Sequence, residues 1–218
     1  MIKRLVDIIL ALVGLVILAP VLIVMAVIIK FYDSGPVFFV HTRIGRGGKP
    51  FRMFKFRSMI ENAEEQGASI TVGNDSRITP LGHFLRRYKL DELPQLLNVL
   101  NGSMSLVGPR PEVPKFVNAY TEAQRGVLKL KPGITDPASF AFFDESQLLS
   151  RVADPERFYR DQIMAEKIRI NMDYSEQACL VKDLILIFAT VFRAVGLRLD
   201  IFTWFGIALP NVKVREGL

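Results

Sequence analysis

The 218-residue sequence predicts an α+β protein attached to a membrane by an N-terminal helix. A long uncharged run lies near the N-terminus, and short strand-like segments and helical segments follow it, separated by glycine and proline clusters. Half of the residues are hydrophobic and only 23% are charged, which excludes a disordered chain. We therefore expect a membrane helix over residues 1–32 and a small globular domain over residues 33–218.

The N-terminal run is long enough to enter a bilayer. Residues 8–29 contain no charged side chain, and about 20 apolar residues suffice to cross as a helix. The run is too long for a secretory signal, whose apolar region has about 7–15 residues. Because Pro20 stands in its middle, we expect a broken helix that enters and leaves one leaflet. A kinked helix that crosses once is the alternative.

A basic β-hairpin is predicted directly after the membrane segment. Residues 37–42 and 51–57 read as strands, and the glycine-rich residues 45–48 read as the turn between them. Pro50 occupies a position where a Walker P-loop needs serine or threonine, so we expect no nucleotide site in this turn. Six cations and no acid fall in the hairpin, which favours contact with phosphate or with anionic lipid: Arg43, Arg46, Lys49, Arg52, Lys55 and Arg57.

The rest of the chain reads as short elements joined by breakers. A polar loop or short helix able to move over a site is expected over residues 61–80. The other predicted elements are helices over residues 81–90, 93–100, 116–128, 157–174 and 180–197, and a strand over residues 104–107. We expect the last two helices and the aromatic cluster of residues 201–205 at the membrane interface, with ordinary core packing as the alternative.

Two adjacent carboxylates, Asp91 and Glu92, directly precede the helix predicted over residues 93–100. Acids are common at helix starts, so the pair alone does not identify an active site. The nearby cations Arg86 and Arg110 favour phosphate chemistry. A carboxylate can attack phosphorus once a divalent cation and arginines neutralise the repulsion, so Asp91 can act as nucleophile while Glu92 holds Mg²⁺.

Other kinds of active site have little support in the sequence. The single cysteine, Cys179, excludes an internal disulfide, and its apolar surroundings indicate a buried structural thiol. Two histidines are too few for a Cys/His zinc site and a weak basis for Ser-His-Asp catalysis. Any metal must therefore be held by oxygen.

Four motifs in a fixed order follow the hydrophobic segment. They are Lys55-Phe56-Arg57-Ser58-Met59, Leu90-Asp91-Glu92-Leu93-Pro94-Gln95, Ser105-Leu106-Val107-Gly108-Pro109-Arg110-Pro111-Glu112 and Lys131-Pro132-Gly133-Ile134-Thr135. Together they resemble the bacterial sugar transferases of the monotopic phosphoglycosyl transferase superfamily over nearly the whole chain. The short length resembles the minimal catalytic form of that superfamily.

This resemblance implies an enzyme that moves a sugar 1-phosphate from a UDP-sugar to undecaprenyl phosphate and releases UMP. It implies a catalytic domain at the cytoplasmic face of the bacterial inner membrane, in contact with membrane lipids. A re-entrant helix broken at Pro20 would anchor this domain. A homodimer or a glycosyltransferase of the same pathway is a further expected partner.

The resemblance also assigns roles to residues of the motifs. Asp91 falls on the nucleophile that forms a covalent phosphosugar intermediate, and Glu92 falls on the residue that supports Mg²⁺. Arg86 and Arg110 fall on phosphate-binding arginines. We expect Lys55 and Arg57 of the first motif to bind phosphate or substrate as well.

Two positions depart from the family pattern. Ala19 stands before the helix-breaking proline where serine is frequent, so a hydroxyl contact that would relieve the break is missing. Asp136-Pro137 stands where family members often have glycine and an aromatic residue, which changes the contacts expected from this loop with sugar or nucleotide.

Two other functional classes were weighed against this interpretation. A non-catalytic membrane protein could use the basic hairpin to bind anionic lipid or to act as a scaffold. Binding of nucleic acid has little support, because the cations lie next to the membrane segment and no recognised nucleic-acid motif accompanies them.

Overall fold

In the computed structural model, one long N-terminal helix precedes a mixed α+β domain, which confirms the predicted fold class at that level. The structure describes residues 2–63, 67, 70–197, 199–210 and 212. The helices are α1 (Ile2–Asp33), α2 (Pro80–Arg87), α3 (Gln95–Asn101), α4 (Pro114–Asn118), α5 (Pro137–Ala141), α6 (Glu145–Leu149), α7 (Pro155–Phe158), α8 (Met164–Gln177), α9 (Leu180–Ala194) and α10 (Ile201–Phe205). The strands are β1 (Phe38–Ile44), β2 (Pro50–Phe56), β3 (Ser105–Val107) and β4 (Gly133–Thr135).

Helix α1 is long and apolar enough to cross a membrane. Its 32 residues form one helix that continues through Pro20, which corrects the break in helical structure expected there. A proline removes a single donor and bends a helix without having to end it. That the helix enters and leaves one leaflet stays a prediction.

The start of α1 is fixed to the globular domain by polar contacts. Arg4 donates to the carbonyl oxygens of Val99 at 2.6 Å and of Leu100 at 3.1 Å, at the end of α3. A cation there satisfies carbonyl groups that lack helical partners. Asp7 is buried and accepts from Ser105 Oγ at 2.7 Å. Helix α1 and the globular domain are therefore packed together.

Strands β1 and β2 form the predicted antiparallel hairpin, with Phe38 opposite Phe56 and Ile44 opposite Pro50. Lys55 of β2 is half-buried, and Arg57, which directly follows the strand, is buried. The six cations therefore do not form one lipid-facing patch. Those that remain exposed are Arg46, Lys49 and Arg52.

Strands β3 and β4 pair in parallel, with Ser105 opposite Gly133. The two backbones are in contact just beyond this pairing: a Cβ atom built on Gly108 would lie 2.2 Å from the carbonyl oxygen of Lys131. A Cβ atom on Gly133 would lie equally close to the backbone nitrogen of Gly108. Only glycine fits at these two positions, and the loop that carries Arg110 starts from this contact.

The helix predicted over residues 116–128 is wrong. Helix α4 ends at Asn118, and a 3₁₀ turn follows only at Gln124–Lys129. Between them the Thr121 amide donates to the Gln124 side chain and the Gln124 amide donates to Thr121 Oγ1. Such local side-chain bonds compete with helical hydrogen bonds.

The helix predicted over residues 157–174 is present but contains a π-helical segment at Tyr159–Ile163, between α7 and α8. Tyr159 is buried there and donates from its hydroxyl to Glu112 Oε2. The extra residue of a π turn is a frequent device for placing a functional side chain.

The C-terminal aromatic cluster corrects another expectation. Ile201, Phe202 and Phe205 are buried in the main core, so core packing accounts for them, and Trp204 remains 61% exposed. Helix α9 buries one face and exposes apolar side chains on the other, namely Val181, Phe188, Val191 and Phe192. Its location at a membrane interface stays a prediction.

Cys179 was expected to be a buried thiol, and this is wrong. The residue is exposed directly before α9, where its backbone caps the helix. An apolar neighbourhood in sequence does not bury a residue that precedes the first turn.

Candidate active site

Asp91 and Glu92 lie in one 3₁₀ turn, Leu90–Glu92, between α2 and α3. Lys89 precedes the turn with φ 57°, and a residue in this left-handed conformation commonly ends a helix. Both carboxylates are buried, with 4% and 8% of their surface exposed. The predicted position of the pair, just before α3, is confirmed.

Glu92 is bound by two cations from distant parts of the chain. Lys55 Nζ, on β2, donates to Oε1 at 2.8 Å. Arg110 donates to both carboxylate oxygens, to Oε2 at 3.1 Å and to Oε1. A two-pronged arginine pair fixes the orientation of a carboxylate as well as its charge. The fold therefore brings Lys55, Arg110 and the carboxylate pair together.

The surroundings shift the pKa values of the two carboxyl groups in opposite directions. Burial raises the pKa of Asp91, and the charge of Glu92 adds to this, whereas Lys55 and Arg86 oppose it only in part. Burial also acts to raise the pKa of Glu92, but Arg110 and Lys55 outweigh it and hold that pKa well below its usual value. Acids separated in this way are typical of active sites.

One oxygen of Asp91 has no hydrogen-bond partner among the described residues. Oδ1 is buried and accepts no hydrogen bond within the part of the chain that the structure describes. An unpaired buried polar atom costs about 1–3 kcal/mol, so proteins keep such atoms mainly where they serve a function. This oxygen is available to a reacting group or to a cation.

The predicted arginines on the N-terminal side of the pair differ in their contacts. Arg86 donates to Ser58 Oγ at 2.9 Å and to Thr71 Oγ1 at 3.1 Å, and its charge lowers the pKa of Asp91. Arg57 is buried and donates to Glu61 at 3.3 Å, so it pairs with a carboxylate of the following loop. The substrate roles of both arginines stay predictions.

The loop predicted over residues 61–80 is only partly described, and its residues 64–66, 68 and 69 lie outside the described range. The described part is held by Arg77, which donates to Asp75 at 2.7 Å and to the carbonyl oxygen of Ala63 at 3.0 Å. Thr71, the Arg86 partner, comes from this loop, and no sequence pattern singled it out.

The residues of the pair fit Mg²⁺ by the type of their donors. Carboxylate oxygens are the ligands this ion prefers, and it is usually held by one or two carboxylates together with substrate phosphates. The unpaired Oδ1 of Asp91 and the cation-binding Glu92 are such donors. Among the described residues, no group of three His, Cys, Asp or Glu side chains could form a complete metal cage, so phosphate ligands would be needed.

Comparison with known proteins shows which family the sequence of this chain matches. The profile of a family described as bacterial sugar transferases matches residues 1–196. The UDP-glucose:undecaprenyl-phosphate glucose-1-phosphate transferase of Escherichia coli is 36% identical over 197 residues, covering 88% of this chain and 40% of the relative.

Two further relatives extend this comparison. The UDP-N-acetylgalactosamine-undecaprenyl-phosphate N-acetylgalactosaminephosphotransferase of Aeromonas hydrophila is 44% identical over 119 residues, covering 55% of this chain and 28% of the relative. The exopolysaccharide production protein ExoY of Sinorhizobium fredii is 32% identical over 204 residues, covering 87% of this chain and 83% of the relative. The chain thus spans less than half of the first two relatives and most of the third.

Proposed function

Since this chain belongs to the bacterial sugar transferase family, we propose that it transfers a sugar 1-phosphate from a UDP-sugar to undecaprenyl phosphate and releases UMP. One observation carries the proposal: a buried carboxylate with an unpaired oxygen, Asp91, stands beside a carboxylate that two cations neutralise. The names of the relatives support the lipid acceptor and the phosphosugar that is moved.

In the first step an oxygen of Asp91 attacks the phosphorus that bears the sugar. The bond from this phosphorus to the bridging oxygen of the diphosphate breaks, and UMP leaves with the electron pair. The sugar phosphate is then joined to Asp91 as a mixed carboxylic–phosphoric anhydride. Burial raises the pKa of this carboxylate, which makes its ionised form a better nucleophile than an ordinary aspartate.

In the second step an oxygen of the lipid phosphate attacks the same phosphorus. The bond to Asp91 breaks, and the free carboxylate is restored. Arg86 and Arg110 would bind the non-bridging oxygens, over which charge is spread in the transition state. Because Arg110 is fixed by Glu92 and by the glycine contact at its loop, it would need little rearrangement to act.

Mg²⁺, held by Glu92 together with substrate phosphates, would supply charge neutralisation. We expect EDTA to lower UMP release by about 100-fold or more, since a metal in this role contributes several kcal/mol. Added Mg²⁺ should restore the rate, and EDTA presaturated with Mg²⁺ is the control. Full activity in EDTA would contradict the proposed requirement for Mg²⁺.

The activity itself is tested by offering a panel of UDP-sugars with undecaprenyl phosphate to the full chain in lipid nanodiscs and measuring UMP. We expect UMP release from at least one donor. Intact-mass analysis with that donor alone should show one sugar phosphate added, mapped to Asp91. A lipid-binding or scaffold protein would release no UMP from any donor, and that result would refute the proposal.

We also propose that residues 33–218 form a catalytic domain at the cytoplasmic face of the inner membrane and that α1 enters and leaves one leaflet. In a Cys179→Ser background, Ile2→Cys and Tyr32→Cys place single thiols at the two ends of α1, where both positions are exposed. An impermeant maleimide should label both from the cytoplasmic side of sealed vesicles. Labelling from opposite sides would establish a single crossing.

A further inference from the structure

A cavity with a mixed polar and apolar lining adjoins Arg110, the residue that also binds Glu92. The cavity has about 50 Å³ open to the centres of water molecules, whereas one water needs only about 10–15 Å³. Beside Arg110, the polar side chains that line it are Glu112, Tyr120, Asp136, Ser139, Tyr159, Lys167 and Asn171. A single side chain thus contacts both the carboxylate pair and this cavity.

Two polar atoms of the lining have no partner among the described residues, Asp136 Oδ2 and Ser139 Oγ. Asp136 is fully buried, and its other oxygen accepts from the Ser139 amide at 2.9 Å and from Asn171 Nδ2 at 3.0 Å. These two bonds fix the carboxylate in place. Its unpaired oxygen is therefore held ready for a donor that the protein itself does not supply.

The charged groups inside the cavity balance one another and favour a neutral ligand there over a phosphate. Arg110 pairs with Glu92, and Lys167 pairs with Glu145, so neither cation is unopposed. Glu112 and Asp136 add two carboxylates, which would repel an anion. A neutral group with several hydroxyls fits this lining, because hydroxyls donate to carboxylates and accept from amide and hydroxyl donors.

We propose that this cavity binds hydroxyl groups of the sugar in the donor, with Asp136 accepting from one hydroxyl and Ser139 contacting a second. The inference rests on the proposed function. The sugar is bonded directly to the phosphorus that Asp91 attacks, whereas the uridine lies beyond the leaving phosphate. Because Arg110 both contacts Glu92 and lines the cavity, a sugar attached to that phosphorus is within reach of the cavity.

Asp136 supplies the cavity with a buried carboxylate that two hydrogen bonds hold in place. We infer that Asp136 determines which sugar is accepted. A buried acceptor rejects a sugar that cannot satisfy it, since the carboxylate would remain desolvated and unpaired.

The test compares donors that differ by one hydroxyl. With the best UDP-sugar of the wild type, Asp136→Asn and Ser139→Ala are each expected to lower kcat/KM for UMP release by about 10–100-fold. With the deoxy analogue that lacks the hydroxyl contacted by the replaced residue, kcat/KM of that variant should be less than about 3-fold below the wild-type value for the same analogue. Asn keeps the oxygen that caps α5, so the thermal unfolding midpoint of Asp136→Asn should match the wild type. The exposed Asp161→Asn is the matched control.

The outcomes separate this inference from the proposed function. A loss confined to donors that carry the contacted hydroxyl supports the sugar site. An equal loss with every deoxy donor, or no loss, overturns it and leaves a cavity that holds water or serves the fold. A wild-type protein that releases UMP from no donor refutes the proposed function and this inference together.

Discussion

Replacing Asp91 with asparagine is expected to abolish UMP release and to stabilise the fold at the same time. The variant loses the nucleophilic oxygen, so the rate should fall by about 10⁴-fold or more. Burial raises the pKa of Asp91 in the folded state, so folding favours the neutral carboxyl. At neutral pH the ionised group therefore costs stability, and asparagine removes this cost. We expect a higher unfolding midpoint, by roughly 2–4 °C for each kcal/mol of stability gained.

The stability difference between Asp91→Asn and the wild type should depend on pH. Below the ordinary aspartate pKa of 3.8 the carboxyl is neutral in both folded and unfolded chains, so the variant and the wild type should unfold alike. The advantage of the variant should grow as the pH rises through the folded-state pKa. Asp161→Asn serves as control, because Asp161 is exposed and Arg160 lowers its pKa. Turnover by Asp91→Asn, or a net loss of stability, would contradict the assignment.

Replacing Arg110 with methionine is expected to lower both activity and stability. Glu92 would remain buried with Lys55 as its remaining cation partner among the described residues. Breaking a buried ion pair from one side costs about 3–5 kcal/mol, because it leaves a charge uncompensated. We expect about 3 kcal/mol, since Lys55 stays in place. Unfolding in denaturant measures this loss, and the exposed Arg160→Met should change stability by less than about 0.5 kcal/mol.

The double variant Arg110→Met with Glu92→Gln separates the two effects. Removing the orphaned charge should recover part of the stability, since Lys55 then loses Glu92 as its partner, and none of the activity. In the wild type the lowered pKa of Glu92 stabilises the fold above the ordinary glutamate pKa of 4.5, and this is lost as the pH falls through the folded-state value. The difference between the wild type and Arg110→Met should therefore shrink in acid. A double variant no more stable than Arg110→Met would contradict the ion-pair explanation.

The sequence predicted the centre of the candidate site because its signals are local. The sequence alone shows two adjacent carboxylates before a helix start and an arginine in a proline-flanked loop. Lys55 belongs to the first of the four motifs that occur in a fixed order. The alternation of side chains along β2 could also have separated Lys55 from the exposed Arg52.

What the sequence could not predict depends on distant contacts. The π turn at Tyr159 is tied to Glu112, 47 residues away, and the Thr71 partner of Arg86 comes from an unpatterned loop. Phe202 and Phe205 were assigned to a membrane surface, but they fill the core. The hydrophobicity of a side chain predicts that it is removed from water, but it does not predict whether lipid or protein surrounds it.

The buried Asp7 makes the hydrophobic anchor an integral part of the enzyme and not an interchangeable tail. Its carboxylate accepts from Ser105 Oγ and from the amide of Leu106, in the strand that leads to the Arg110 loop. A truncated protein that starts after α1 would lose these acceptors and uncover the apolar side chains that α1 protects. Fusing the remainder to an unrelated hydrophobic helix would not repair this interface, so purification strategies should retain the native segment.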